Sequence, residues 1–209
     1  MRKVISFILA MLILLAIPMA CAEPVITERK GNGVERFLWD ELSVWSPSDQ
    51  ITAAVLAYYW RESQYRSDAV AGWGNSLAGY GIDLCAEVTS KTDAGLADGS
   101  SRAYFLKACR RYGGYGLGQW WSLSKVEALY DFAVEYGAES IGDAQMQCAY
   151  TIASLKSNKR LWKRLKRCDD PETAGRLVAI YYDGTVEGAA YIGYKAGRLY
   201  EEYHEEGEE

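Results

Sequence analysis

Residues 46–63 read SPSDQITAAVLAYYWRES, and the fold class turns on this stretch. Ser46 offers a helix N-cap, Pro47 suits the first helical position, and Asp49 follows three residues after the cap, a capping-box start. Ile51, Ala54, Val55 and Tyr58 then recur at helical spacing up to Trp60-Arg61-Glu62-Ser63, so the pattern predicts an amphipathic helix. Offsets of 11, 7 and 4 residues return Glu62 to nearly the azimuth of Ile51, Val55 and Tyr58, which points a carboxylate at the apolar side. Desolvation there disfavours the anion and raises the pKa, as a general acid working near neutral pH requires. The competing reading is a helix-end Glu that turns to water or pairs with Arg61 or Arg66.

A second stretch, Gly113 to Trp121, reads GGYGLGQWW. Its four glycines let backbone approach a ligand closely, and Gln119 can both donate and accept hydrogen bonds. Tyr115, Trp120 and Trp121 offer ring faces to the apolar C–H surface of a sugar, which makes the segment a cleft wall; equally, it is a glycine-rich corner whose aromatics fill the core. It follows no strand and no Lys-Ser/Thr pair closes it, so it is not a phosphate loop.

Outward from these stretches, residues 71–111 carry Gly72, Gly74, Gly79, Gly81, Gly95 and Gly99 and read as loop-rich. Beyond Gln119 the chain reads helical: Val126, Leu129, Tyr130 and Phe132 form one stripe, and Ser140-Ile141-Gly142-Asp143 caps another through Cys148, Ile152 and Leu155. Asp169-Asp170-Pro171-Glu172 starts a helix through Leu177, Val178 and Tyr181, and a final helix runs from Glu187 to Tyr203. No alternating strand emerges. The class is mainly α, a single domain with its loops concentrated before residue 115.

The 209 residues are 49 % hydrophobic, enough for one core, and 23 Lys plus Arg stand against 28 Asp plus Glu, so no basic field argues for nucleic acid. The single histidine, His204, falls in the run EEYHEEGEE, an acidic tail at 204–209. That count excludes Ser-His-Asp triads, Cys-His hydrolases and His-ligated zinc; no metal or cofactor is called for, and a hydrolase here must work through carboxylates. Arg2 and Lys3 precede an uncharged apolar run to Ala22 with small residues at Ala20-Cys21-Ala22, an export signal over 1–22 with an uncleaved anchor or a Cys21 lipoprotein as alternatives. Residues 23–45 read as a leader and 46–203 as the domain. The exported chain lacks Arg2 and Lys3, so 21 basic residues face 28 acidic ones, a net charge of −7. Its four cysteines, Cys85, Cys109, Cys148 and Cys168, predict two disulfides with three connectivities open, against the alternatives of four buried thiols or a zinc site.

Arg61-Glu62-Ser63, Gly114-Tyr115-Gly116-Leu117-Gly118-Gln119-Trp120, and Ser140-Ile141-Gly142-Asp143 with Met146-Gln147 together resemble the phage tail lysozyme domain family over about residues 50–200. With an Ala-x-x-Tyr-Asp-Gly-like segment at Ala179 to Gly184, the order is also distantly similar to goose-type lysozymes and lytic transglycosylases. The resemblance implies a lysozyme-like helical domain with a loop-rich cleft for peptidoglycan strands, in a phage or mobile-element context. By it, Glu62 is the catalytic acid, and Ser63, Tyr115, Gly116, Gln119, Trp120 and Tyr182 line the substrate site. The family often has an acid shortly before Gly-Tyr-Gly, where this chain has Cys109-Arg110-Arg111-Tyr112. The second carboxylate is therefore open between Asp68 and Asp83, with Asp83 preferred. Asp183 is read as a cap for the last helix or a substrate-positioning group.

The expected function is that of an exported muramidase or lytic transglycosylase; the alternative is a glycan-binding module without turnover. One run stands apart. Lys156, Lys159, Arg160, Lys163, Arg164, Lys166 and Arg167 place seven cations in 12 residues with no acid between them. They form either a solvated face or a contact for an anionic wall or membrane surface.

Overall fold

A computed structural model describes residues 33–70 and 80–204, with side chains from Leu84 onward in the second stretch. Residues 1–22, read as an export signal, the start of the stretch read as a leader, and the tail beyond His204 lie outside the described residues. Helix α1 spans Gly33–Trp45 and α2 Asp49–Ser63. Every residue of α2 from Ile51 to Tyr59 is buried, so it is not the amphipathic surface helix its stripe predicted but one enclosed on all sides. Its neighbours are α1, α8 (Pro171–Val178) and α9 (Ala189–His204). Ala53, Ala54 and Ala57 keep α2 slim. Where α8 meets α9, a Cβ on Gly175 would lie 2.8 Å from the Ile192 carbonyl oxygen, and one on Gly193 2.8 Å from that of Glu172. Those two helices therefore touch through bare backbone.

Three boundaries differ from the expectations. The leader read at 23–45 contains α1, which buries Leu38, Trp39 and Leu42. The acid at Glu35 hides its stripe: the carboxylate is buried and accepts the Tyr203 hydroxyl at 2.9 Å and that of Tyr65, with Lys195 Nζ 3.6 Å away. Helix α2 starts at Asp49 instead of Pro47, because the Ser46 hydroxyl donates to the Ser48 carbonyl at 2.9 Å and closes the α1–α2 turn. The glycine-rich stretch contains α3 (Tyr80–Asp93) and α4 (Arg102–Tyr112); Gly95 and Gly99 mark only the joint between them.

The second half follows the sequence closely. Helix α5 (Leu123–Tyr136) buries Val126, Leu129 and Tyr130. Asp143 caps α6 (Ala144–Ser157) by accepting the Gln145 and Met146 amides at 2.8 and 3.2 Å. The seven-residue α7, Lys159–Leu165, precedes α8, whose Asp170 cap accepts the Glu172 and Thr173 amides, with Pro171 opening the helix. After Val178 the chain widens into a π-helical turn, Ala179–Asp183, that ends at Gly184 with φ 87°. His204, read as tail, is the last residue of α9: its Nδ1 lies 2.7 Å from Asp49 Oδ2 and its ring stacks on Tyr200.

The four cysteines are free thiols, which corrects the expectation of two disulfides. They stand on α3, α4, α6 and the turn after α7, and each is used locally. Cys85, Cys109 and Cys148 are buried packing residues, and burial pushes the Cys109 thiol up to about 12. The Cys168 thiol donates to the Asp170 carbonyl at 3.2 Å.

Candidate active site

Glu62 occupies the last turn of α2, where the enclosed helix reaches the surface and Gln64 ends it in the left-handed region (φ 51°). Its side chain is 19 % exposed. The π-helical turn presents Asp183 to the same place, 11 % exposed, and Arg61 stands between the two acids. Arg61 Nη1 lies 2.5 Å from Glu62 Oε1 and 3.7 Å from Asp183 Oδ2. Gly188 makes room for this guanidinium, since a Cβ there would sit 2.6 Å from Arg61 Nε. From α5, Lys125 Nζ donates to the Tyr182 carbonyl at 2.7 Å and lies 4.5 Å from the Tyr182 ring centroid. Two carboxylates and two cations thus share one partly dry patch.

Burial holds the Glu62 carboxyl above its ordinary range; the Asp183 charge pushes the same way, and Arg61, then Lys125, oppose. Burial lowers the Lys125 ammonium, against the pull of Asp183 and Glu62. The signs give a test. Asp183→Asn removes a charge that raises the Glu62 pKa, so its carboxyl titration moves to lower pH; Arg61→Met removes a charge that lowers it, so the titration moves to higher pH. Carboxyl carbon chemical shifts of Glu62 followed against pH report both, and movement in one common direction refutes this account of the patch.

The GGYGLGQWW segment underlies the patch as a knitted corner. Tyr115 and Trp120 exchange backbone hydrogen bonds at 3.2 and 3.0 Å, the Gly116 amide donates to the Ala69 carbonyl, and the Gln119 amide group donates to Ala69 and Gly116 carbonyls at 2.9 Å. Tyr58 on α2 donates its hydroxyl to the Gly118 carbonyl at 2.5 Å, and Trp120 Nε1 donates to the Tyr182 hydroxyl at 3.2 Å. Gly116, at φ 79°, admits no Cβ: one would meet Gln147 Oε1 at 2.6 Å. The corner is what fastens the end of α2 to the π-helical turn.

The residues expected to line the substrate therefore divide. Ser63 is buried and its hydroxyl donates back to the Tyr59 carbonyl at 3.2 Å. Tyr115, Gln119 and Trp120 are interior, with Trp120 only 1 % exposed and the Tyr115 hydroxyl paired with Thr89 at 2.6 Å. Tyr182 is buried against Tyr58, edge to face. None of these offers a ring face to a sugar, because the core has already taken it. Trp121, 66 % exposed, is the aromatic of that segment that remains open. Asp68 is bound by Arg66 at 3.0 and 3.1 Å. Asp83 lies on α3 with its side chain outside the described ones. Asp183 caps no helix; it accepts the Thr185 hydroxyl and faces Arg61.

Gln147 entered the sequence analysis only as part of the Met146-Gln147 motif, with no role given to it. It is fully buried, accepts the Leu117 amide at 2.8 Å and donates to the Ser67 and Ile141 carbonyls, each at 2.8 Å. A Gln on a face otherwise made of Cys148, Thr151 and Ile152 was the available signal. Among the described residues no group of three or more His, Cys, Asp or Glu is arranged to hold a metal ion.

No curated protein and no solved structure matches the chain significantly. The model of the family described as phage tail lysozyme matches residues 34–203, from the start of α1 to the end of α9. Helical architecture, motif order and this match over most of the chain agree: the chain belongs to the phage tail lysozyme family.

Proposed function

We propose that the protein is an exported enzyme of a phage or mobile element that cuts the glycosidic bond between N-acetylmuramic acid and N-acetylglucosamine, with Glu62 as general acid. The family makes a peptidoglycan-acting glycosidase the coarse expectation. The observation that carries the finer reading is the Glu62 carboxyl, half-dry at the end of a buried helix, raised by burial and by the acid opposite it. A carboxyl whose proton is held to higher pH than usual is better suited to give it to the leaving glycosidic oxygen as the C–O bond breaks. Arg61 favours the ionised form once that proton has gone. Trp121 supplies a stacking face for a sugar ring.

Two reactions fit this acid. A hydrolase needs a second carboxylate, about 5 Å away to attack the anomeric carbon or about 6.5–9.5 Å away to activate water; Asp183 joins Asp83 as a candidate. A lytic transglycosylase needs one acid/base, because the muramic sugar's own hydroxyl attacks and an anhydro ring forms. The binding-module alternative draws support from the Arg61–Glu62 contact at 2.5 Å, which stabilises the carboxylate in the unliganded protein. A zymogram on purified peptidoglycan, followed by mass analysis of the fragments, separates the three. Reducing ends identify a hydrolase, anhydro-sugars a transglycosylase, and intact glycan with retained binding leaves the module.

A further inference from the structure

All seven cations of residues 156–167 are exposed. Lys159, Arg160, Lys163 and Arg164 lie on α7, whose Leu161 and Leu165 are buried and turn its charged positions outward; Lys156 lies in the last turn of α6, and Lys166 and Arg167 follow α7. Among the described residues none of the seven pairs with a carboxylate, whereas Arg36, Lys91, Arg102 and Arg176 each do. Asp170, close by in sequence, is spent on capping α8. An acidic protein has thus gathered a run of positive charge that forms no ion pair among the described residues.

That face adjoins the candidate site. The Arg164 guanidinium lies 4.5 Å from the centroid of the Tyr181 ring, and Tyr181, 51 % exposed, directly precedes Tyr182 and Asp183 in the π-helical turn. The link between the basic face and the candidate site is thus this one π-helical turn, which carries Tyr181 against Arg164 and Asp183 against Arg61. The apolar residues of α7 are not free to enter a bilayer: Leu161 and Leu165 are buried, and Trp162 packs half-buried against the core with Lys156 Nζ 5.6 Å from its ring. An interfacial membrane helix needs such residues on its outer face. The charges suit a flexible polyanion in water.

We propose that α7 and Tyr181 form a binding face for the carboxylates of the peptide stems that peptidoglycan strands carry, so that the enzyme selects anionic, stem-bearing glycan over neutral glycan. The inference rests on the peptidoglycan reading above. Stem carboxylates recur along the strand at each muramic sugar. Several solvated cations spread along one face hold such a ligand through summed, salt-sensitive attraction, with no need for a single formed pocket.

The test uses the full chain and sacculi freed of accessory phosphate polymers, either native or with stem carboxylates converted to neutral amides by carbodiimide and methylamine. The parent should sediment with native sacculi at least about tenfold more tightly than with amidated ones at low salt, and the difference should shrink as salt rises. Lys163→Glu with Arg164→Glu should abolish that preference, Lys163→Gln with Arg164→Gln should fall between, and circular dichroism checks the fold of both. Equal binding of native and amidated sacculi by the parent overturns the proposal, as does charge reversal without effect. Tighter binding to anionic phosphatidylglycerol vesicles than to native sacculi overturns it in favour of a membrane. If the parent shows the preference yet cleaves neither form, the catalytic reading fails and the binding face stands.

Discussion

Glu62→Gln is expected to lower cleavage of purified peptidoglycan by about a thousandfold, the scale of a general acid's contribution, while glycan binding and thermal stability stay near parental. The amide keeps the size of the side chain and can still hydrogen-bond, but it has no proton of suitable acidity to give to the leaving oxygen. Stability should hold because Glu62 lies at a helix end with its carboxylate partly in water, outside the fully enclosed segment Ile51–Tyr59. Fragment release from sacculi, measured beside a binding assay, reads both quantities. A variant that cleaves as fast as the parent removes Glu62 from the chemistry. Asp183→Asn and Asp83→Asn, assayed alongside, locate the second carboxylate: a comparable collapse in one of them marks a two-acid hydrolase, and mild effects in both favour the single-acid transglycosylase. In the surviving activity of Asp183→Asn, kcat/KM should begin to fall at lower pH than in the parent, because the active form is protonated Glu62 and removing the opposing charge makes that proton easier to lose.

The largest effect on stability is expected at Gln147→Leu. The substitution keeps apolar volume in a fully buried site but orphans three backbone groups, the Leu117 amide and the Ser67 and Ile141 carbonyls. Each buried unsatisfied group costs about 1–3 kcal/mol, so a loss of about 3 kcal/mol or more is expected, a fall in Tm of roughly 6–12 °C for a domain of this size. Calorimetry on the parent and the variant measures it; a Tm within about 2 °C of parental would show that the three groups find other partners. Activity should fall as well, since these bonds fasten the corner that receives the Tyr58 hydroxyl and carries Trp120 against Tyr182. Gly116→Ala should act through the same contact, because its added methyl would press on the Gln147 oxygen.

What the sequence determined by itself was local. Asp143 and Asp170-Pro171 announced their helices because a cap satisfies amides two and three residues away, an interaction written within one turn of chain. The stripe of α5 was legible because one face of that helix is buried and the other is not. The family's motif order, with Glu62 before Gly116-Leu117-Gly118-Gln119, was equally plain in the linear chain. Tertiary structure decided the rest, wherever the deciding partner is distant in sequence. Helix α1 looked like polar leader because its buried Glu35 is compensated by Tyr65, Tyr203 and Lys195, none of them nearby in the chain. Trp120 and Trp121 are adjacent and chemically alike, yet one is sealed against Tyr150 and Tyr182 and the other faces solvent; composition cannot divide them, because burial belongs to the assembled core. Asp183, which sequence offered as a cap or a positioning group, stands beside Arg61 because a π-helical turn re-aims it toward the end of α2. The electrostatics of Glu62 depend on that approach, since charges act through space and the chain brings these together only when it folds.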